Sequence, residues 1–156
     1  NGWFHPDAGG FETYFLAPAR TEEERRQARE ENSVMQLEDP EMDPEKLEEL
    51  DFILWDMVQN EFITESSELA EIVQSELDEV LSIRNRGVKQ AGFRVLRGIN
   101  MPAVLIEVAF LSNEKEEKLL QDREFRRRAC EGIVEAVRKF SSGKVASDAG
   151  RPGTGY

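Results

Sequence analysis

The stretch Pro102–Asn113, PAVLIEVAFLSN, decides the fold of this chain. Within it, residues 103–110 are apolar except for Glu107, and a short run rich in β-branched residues predicts a strand. Both faces of this strand are apolar, which is typical of a central strand covered on both sides in an α/β sheet. Because Glu107 shares a face with Leu105 and Ala109, its carboxylate should point into covered space.

Burial of Glu107 requires compensation, because a buried carboxylate without a partner costs several kcal/mol of folding free energy. A cation, a metal ion or a proton would each compensate it. The carboxyl end of the strand is also the place where open α/β sheets bind their ligands. Two ordinary explanations stay open, namely an edge strand with Glu107 facing water and a structural arginine that pairs with it.

The composition limits the classes of function. The chain has 156 residues, a net charge of −12 and no basic stripe, so we expect no nucleic-acid partner. The same acidity disfavours docking on anionic lipid. No apolar run approaches the roughly 18 residues of a membrane span, and no segment resembles a signal peptide. We expect one domain, in which the single cysteine, Cys130, is buried in an amphipathic helix.

Upstream of this stretch, the sequence predicts a strand followed by helices. The aromatic run Phe11–Leu16 predicts the strand. Thr21 and Glu24 have capping-box spacing, so a charged helix should begin there and end before an acidic, proline-containing break. A second helix should follow the break, and Ser66 or Ser67 should cap a third.

The elements on either side of Glu107 complete an α/β pattern. Asn85–Gln90 predicts a polar turn, and Phe93–Leu96 predicts a second short strand. Ser112 or Asn113 should cap a short acidic helix, and the last helix should end just before Gly143. Strands that alternate with helices in this way indicate an α/β layer structure.

Few residues are available for metal or nucleophilic chemistry. The chain has one histidine, His5, and one cysteine, whereas a catalytic zinc ion commonly takes three protein ligands. No nucleophile elbow and no glycine-rich phosphate loop occur in the sequence. Glu107 is therefore the strongest candidate for a reactive group.

Several ordered motifs resemble a known family. They are GGFETYFLA (Gly9–Ala17), SSELAEIVQSEL (Ser66–Leu77), RGVKQAGFRVLR (Arg86–Arg97) and MPAVLIEVAFLSN (Met101–Asn113). In order and spacing they resemble the zinc-dependent N-acetylmuramoyl-L-alanine amidases of the amidase-3 type. The resemblance implies a single domain with a twisted mixed sheet flanked by helices. It also implies a peptidoglycan hydrolase that cleaves the amide between N-acetylmuramic acid and L-alanine.

The resemblance assigns a role to Glu107 but no metal ligands. Glu107 matches the family's catalytic glutamate, which acts as general base and then as general acid. The family binds one zinc ion with two histidines and a glutamate. Counting back from Gly10 places the last of these histidines before Asn1, so the chain is expected to lack its N-terminal part and all three ligands. His5 stays open as an alternative ligand.

Three polar residues are candidates for substrate binding, because a muropeptide carries carboxylates. They are Arg86, Lys89 and Gln90. Ordinary polar loop residues are the alternative explanation for all three.

The resemblance also divides the chain. Residues 1–140 correspond to the catalytic domain, with a helical insertion at about 21–62, and residues 141–156 are expected to form a disordered tail. We expect the first helix of the insertion and its acidic break to gate the active site until an activator protein binds. The carboxylates that could reach the metal are Glu38, Asp39, Glu41 and Asp43. A helical hairpin that only packs on the sheet is the alternative.

Two functions follow from these observations. The first is a periplasmic or extracellular amidase that acts on peptidoglycan. The second is a non-catalytic cell-wall or partner-binding module that retains the amidase fold. An intact set of zinc ligands would favour the enzyme, and its absence would favour the module.

Overall fold

The computed structural model describes residues 8–36 and 60–149. In chain order they form strand β1 (Phe11–Leu16), helix α1 (Glu22–Gln36), helix α2 (Asn60–Val80), strand β2 (Asn85–Ala91), a 3-10 helix (Arg94–Leu96), strand β3 (Val104–Glu107), helix α3 (Glu114–Gln121) and helix α4 (Arg123–Ala149). The strands form a mixed sheet in the order β2-β1-β3. The predicted α/β class, a mixed sheet flanked by helices, is confirmed.

Two compact units make up the described part of this single domain. Unit 1 takes its described residues from 8–12, 71–87 and 107–149. Unit 2 takes them from 13–36, 60–70 and 88–106.

The core of unit 2 is built on the aromatic strand β1, whose residues are all buried. Tyr14 and Leu16 join an apolar cluster that includes Ala28 of α1. Phe15 joins a second cluster that includes Ala70 of α2. Because successive side chains of a strand point to opposite faces, α1 and α2 cover the two faces of this strand.

Helix α1 begins with the predicted capping box. The Glu24 N–H donates to Thr21 Oγ1 at 3.2 Å, and Glu24 Oε2 accepts from the N–H groups of Thr21 and Arg20 at 2.8 and 2.7 Å. Glu24 Oε1 accepts from the Gln90 N–H at 3.2 Å, so the cap also joins α1 to β2. Burial raises the pKa of Glu24, but the backbone bonds from Thr21, Gln90 and Arg20 outweigh burial and hold that pKa below its ordinary value.

The second strand lies earlier in the chain than the sequence predicts. The turn expected at Asn85–Gln90 belongs to β2, and the strand expected at Phe93–Leu96 contains a 3-10 helix, so both predictions are wrong. Polar residues can form strand β2 because their long side chains have hydrogen-bond partners elsewhere in the chain. Phe93 and Leu96 after it instead fill the cluster around Tyr14, where the Tyr14 and Phe93 rings meet edge to face at 4.7 Å.

Helix α2 begins before its predicted cap. The sequence predicts that Ser66 or Ser67 starts the helix, but both lie inside it, and Ser66 Oγ accepts from the Ala103 N–H at 3.1 Å. Ile63, one turn earlier, packs against the cluster of Phe15. Apolar packing therefore extends the helix toward its N-terminus, as tertiary contacts commonly do.

In unit 1, helix α4 packs closely on the end of α2. A Cβ atom on Gly132 would lie 3.0 Å from Val80 Cγ2 and 3.3 Å from the Glu76 carbonyl oxygen, so a glycine suits this approach. One turn of α4 further on, Ala136 is fully buried. Lys139 Nζ then donates to Glu76 Oε1 at 2.6 Å.

Two predictions about this last helix are wrong. It continues through Gly143 to Ala149, because one glycine costs a helix only about 1 kcal/mol. The predicted tail 141–156 is therefore helical up to residue 149, and residues 150–156 lie outside the described part. Cys130 is exposed, because it lies about 100° around the helix from the buried Ala129.

Replacing Glu24 by alanine should lower the free energy of unfolding by about 2 kcal/mol at neutral pH, because three charge-assisted backbone hydrogen bonds are lost. The folded-state pKa of Glu24 lies below the unfolded value, so its contribution is fully present above about pH 4.5. It is lost as the pH falls through the folded-state pKa.

Urea unfolding of both proteins near neutral pH and near pH 3 measures this difference, which should shrink in acid. Glu22→Ala is the matched control, since the Glu22 carboxylate is exposed and pairs with Arg25 and Arg29 along α1. It should change stability little at either pH. An equal effect of Glu24→Ala at both pH values would contradict the assignment.

Candidate active site

Glu107 is the last residue of β3 and is 8% exposed, so the prediction that its side chain is covered is confirmed. The strand itself covers Val104–Glu107 rather than the predicted 103–110. In the described sheet β1, not β3, is the middle strand, and the first three residues of β3 are half-buried. Glu107 therefore lies where a strand passes into a loop, at its carboxyl end, as the sequence predicts.

Beyond β3, the backbone of Phe110 binds a side chain. The Phe110 N–H donates to Glu116 Oε2 at 2.8 Å, and the Phe110 carbonyl accepts from the Asn113 N–H at 3.2 Å. The other carboxylate oxygen, Glu116 Oε1, accepts from the Gly10 N–H at 2.7 Å. Glu116 therefore joins the loop after β3 to the residue that precedes β1.

The N-terminus of α3 positions Glu116. Asn113, one of the two predicted residues, is the N-cap, and its Oδ1 accepts from the N–H groups of Lys115 and Glu116 at 3.1 and 3.4 Å. Its Nδ2 donates to the Ala8 carbonyl at 3.0 Å. A Cβ atom on Gly9 would lie 2.5 Å from Glu116 Oε1, so the loop before β1 fits closely against the carboxylate. The first turn of a helix also favours a negative charge.

A buried ion pair lies in the same unit. Arg86 Nε donates to Glu12 Oε2 at 2.8 Å, with the two side chains 13% and 0% exposed. The Arg86 guanidinium also lies 5.2 Å from the centroid of the Phe110 ring, within the range of a cation–π contact. The charge of Arg86, a predicted substrate residue, is thus already engaged within the protein.

The other two predicted substrate residues lie in unit 2. Lys89 Nζ is 3.3 Å from Glu23 Oε1 and 5.8 Å from the centroid of the Tyr14 ring. Gln90 is buried, and its Nε2 donates to the Pro18 carbonyl at 2.5 Å. Each residue therefore has protein partners, and their contact with a substrate stays a prediction.

A metal site is not formed by the described residues. Within 8–36 and 60–149, no group of three or more His, Cys, Asp or Glu side chains could hold a metal ion. The other predicted metal and gating residues lie outside these ranges, namely His5, Glu38, Asp39, Glu41 and Asp43. The described residues therefore do not fit a zinc ligand set. None of their helices is long and apolar enough to cross a membrane.

Sequence reasoning missed two buried carboxylates, although both carry a signal. Glu12 interrupts the aromatic run of β1 in the same way that Glu107 interrupts the apolar run of β3. Glu116 follows the N-cap residue Asn113 by three positions, which is capping-box spacing. A search for single carboxylates in apolar strands and for glutamates at the third position of helices would have found both.

Comparison with known proteins gives consistent results. Residues 2–139 match the family described as N-acetylmuramoyl-L-alanine amidase, Amidase_3. The amidase AmiC of Neisseria meningitidis is 38% identical over 96 residues, which are 62% of this chain and 23% of that protein. A solved N-acetylmuramoyl-L-alanine amidase from Clostridium difficile superposes with a TM-score of 0.56 at 26% identity, over 88% of this chain and 50% of that one.

A further solved structure supports the fold alone. The catalytic domain of the amidase CwlV from Bacillus (Paenibacillus) polymyxa superposes with a TM-score of 0.58 at 22% identity, over 91% of this chain and 54% of that one. This chain thus spans about a quarter of the AmiC relative and about half of the solved chains.

Arg86→Met should destabilise the protein by about 3–5 kcal/mol, because it leaves the Glu12 carboxylate buried without its cation. The double variant Glu12→Gln/Arg86→Met should lose less than the sum of the two single variants, since it removes both charges together. Urea unfolding of the four proteins measures this coupling.

Arg127→Met is the matched control, because its guanidinium pairs with the exposed Glu124 and Glu131 and should contribute little. Additive losses in the double variant would show that the buried pair is not coupled.

Proposed function

This chain belongs to the N-acetylmuramoyl-L-alanine amidase family Amidase_3, and on that premise we propose that the protein is a peptidoglycan hydrolase. It cleaves the amide between the lactyl group of N-acetylmuramic acid and the L-alanine of the stem peptide. The observation that carries the proposal is the buried carboxylate of Glu107 at the end of β3, within the part of the chain that matches the family. Because peptidoglycan lies outside the cytoplasmic membrane, the protein acts in the periplasm or outside the cell.

Glu107 is the proton-transfer group in this proposal. As a base, its carboxylate accepts a proton from the water that attacks the amide carbonyl. The carbon–nitrogen bond then breaks, and Glu107 returns the proton to the leaving amino group of L-alanine. A covered position suits this role, because the same carboxylate must meet both the water and the amine without competing solvent.

The cofactor we propose is zinc, as the family resemblance implies. The described residues do not supply its ligands, so none is assigned among them and the steps given to Glu107 are proton transfers alone. An activator protein that displaces the acidic segment around residues 38–43 also stays a proposal, since that segment lies outside the described residues.

A non-catalytic module is the second candidate function. The zinc ligands of the full-length protein bear on this choice, because an intact set would favour the enzyme and its absence would favour the module. Such a module would bind peptidoglycan and leave every amide intact, so the two candidates are separated by a direct assay of hydrolysis.

Glu107→Gln should reduce the turnover of muropeptides by a factor on the order of 10²–10⁴, because the amide cannot accept the proton from water. In the full-length protein this variant should keep its fold and its metal content, measured by circular dichroism and by metal analysis. Glu114→Gln, an exposed carboxylate in α3, is the control and should match the wild type. Near-normal hydrolysis by Glu107→Gln would exclude Glu107 as the acid and base.

Removal of zinc by a chelator should abolish muropeptide hydrolysis by the full-length protein, and added Zn²⁺ should restore it. The measurement is the rate before chelation, after dialysis and after addition of Zn²⁺. Unchanged activity in protein shown by metal analysis to be free of zinc would contradict the proposed cofactor.

A further inference from the structure

Phe110, which ends the segment after Glu107, is held by contacts to its N–H, its carbonyl and its ring. The Phe110 N–H is bound by Glu116, its carbonyl accepts from the Asn113 N–H, and its fully buried ring lies against the Arg86 guanidinium. Phe110 is three positions beyond Glu107. The path of the backbone between these two residues is therefore set at its far end by contacts within unit 1.

We propose that Glu116 is a positioning residue for Glu107. By holding the Phe110 N–H, it fixes the loop that follows β3 and so the direction in which the Glu107 carboxylate leaves the strand. This inference rests on the proposed function, in which Glu107 transfers the proton. Glu116 does not touch the reacting atoms in this account and acts only through the backbone of residues 107–110.

A carboxylate suits this position for a geometric reason. Its two oxygens each accept one N–H, from Phe110 at 2.8 Å and from Gly10 at 2.7 Å, and the side chain is 7% exposed. A glutamine of the same size has only one oxygen, so its NH₂ group would face one of the two N–H donors. Replacement of Glu116 by glutamine therefore breaks one bond and sets two buried donors against each other.

The expected effect is on turnover rather than on substrate binding. A proton-transfer group must lie within hydrogen-bond reach of its target, and a displacement of about 1 Å can cost on the order of 10²-fold in rate. Loosening of residues 107–110 moves the Glu107 carboxylate relative to the scissile amide. Contacts that bind the rest of the muropeptide are not altered by this change, so KM should be retained.

The test compares Glu116→Gln with Glu117→Gln in the zinc-loaded full-length protein. Glu117 is exposed in the same first turn of α3, so its variant makes the same change of charge without the buried bonds. We expect Glu116→Gln to lower kcat for muropeptide hydrolysis by about 10-fold to 100-fold, with KM within about twofold of the wild type. Glu117→Gln should match the wild type in both constants.

Hydrogen–deuterium exchange gives a readout that does not depend on activity. In Glu116→Gln, deuterium uptake should rise in peptides that cover residues 8–11 and 107–111, and uptake in α4 should stay unchanged. Glu116→Asp keeps the negative charge but is one methylene shorter, so it cannot reach both donors. It should show the same increases and is used where Glu116→Gln does not fold.

Retention of kcat within twofold of the wild type, together with raised exchange at 107–111, would overturn the inference, because Glu116 would then be only structural. Unchanged exchange in both variants would overturn it as well. An inactive wild-type protein would instead refute the proposed function, while the exchange experiment would still decide whether Glu116 orders residues 107–111.

Discussion

Buried carboxylates must be paired, and this constraint governs the part of the chain that carries the candidate active site. Unit 1 buries Glu12 against Arg86 and buries Glu116 against the N–H groups of Gly10 and Phe110. Leaving such a group unpaired would cost several kcal/mol, so each carboxylate fixes the segments that it contacts. Phe110 takes part in both arrangements, through its backbone N–H and through its ring. The loop after Glu107 is consequently defined by polar contacts as well as by apolar packing.

Unit 2 depends on apolar packing against both faces of strand β1. Residues of β1 alternate between two apolar clusters, and one helix closes each cluster. Glu24 adds the polar link, because its carboxylate caps α1 and also accepts the Gln90 N–H of β2. The start of α1 is thereby joined to β2.

The sequence predicts what depends on local chemistry and misses what depends on distant partners. Strand β1, the capping box of Glu24 and the Asn113 cap are all foreseen, because side-chain type and spacing specify them locally. Strand β2 is mistaken for a turn, since its polar residues are stabilised by partners far away in the chain. The burial of Glu107 is foreseen because its neighbours in the sequence are apolar. The partners of Glu12 and Glu116 could not be named before the fold was known.

The central claim, that the protein hydrolyses the muramoyl–alanine amide, is tested most directly by digesting purified muropeptides with the zinc-loaded full-length protein in ¹⁸O-labelled water. Mass spectrometry of the products then locates both the broken bond and the oxygen taken from water. The account predicts a stem peptide with a free L-alanine amino group and one ¹⁸O atom in the lactyl carboxyl group of N-acetylmuramic acid. Intact muropeptides, or label at any other position, would contradict it.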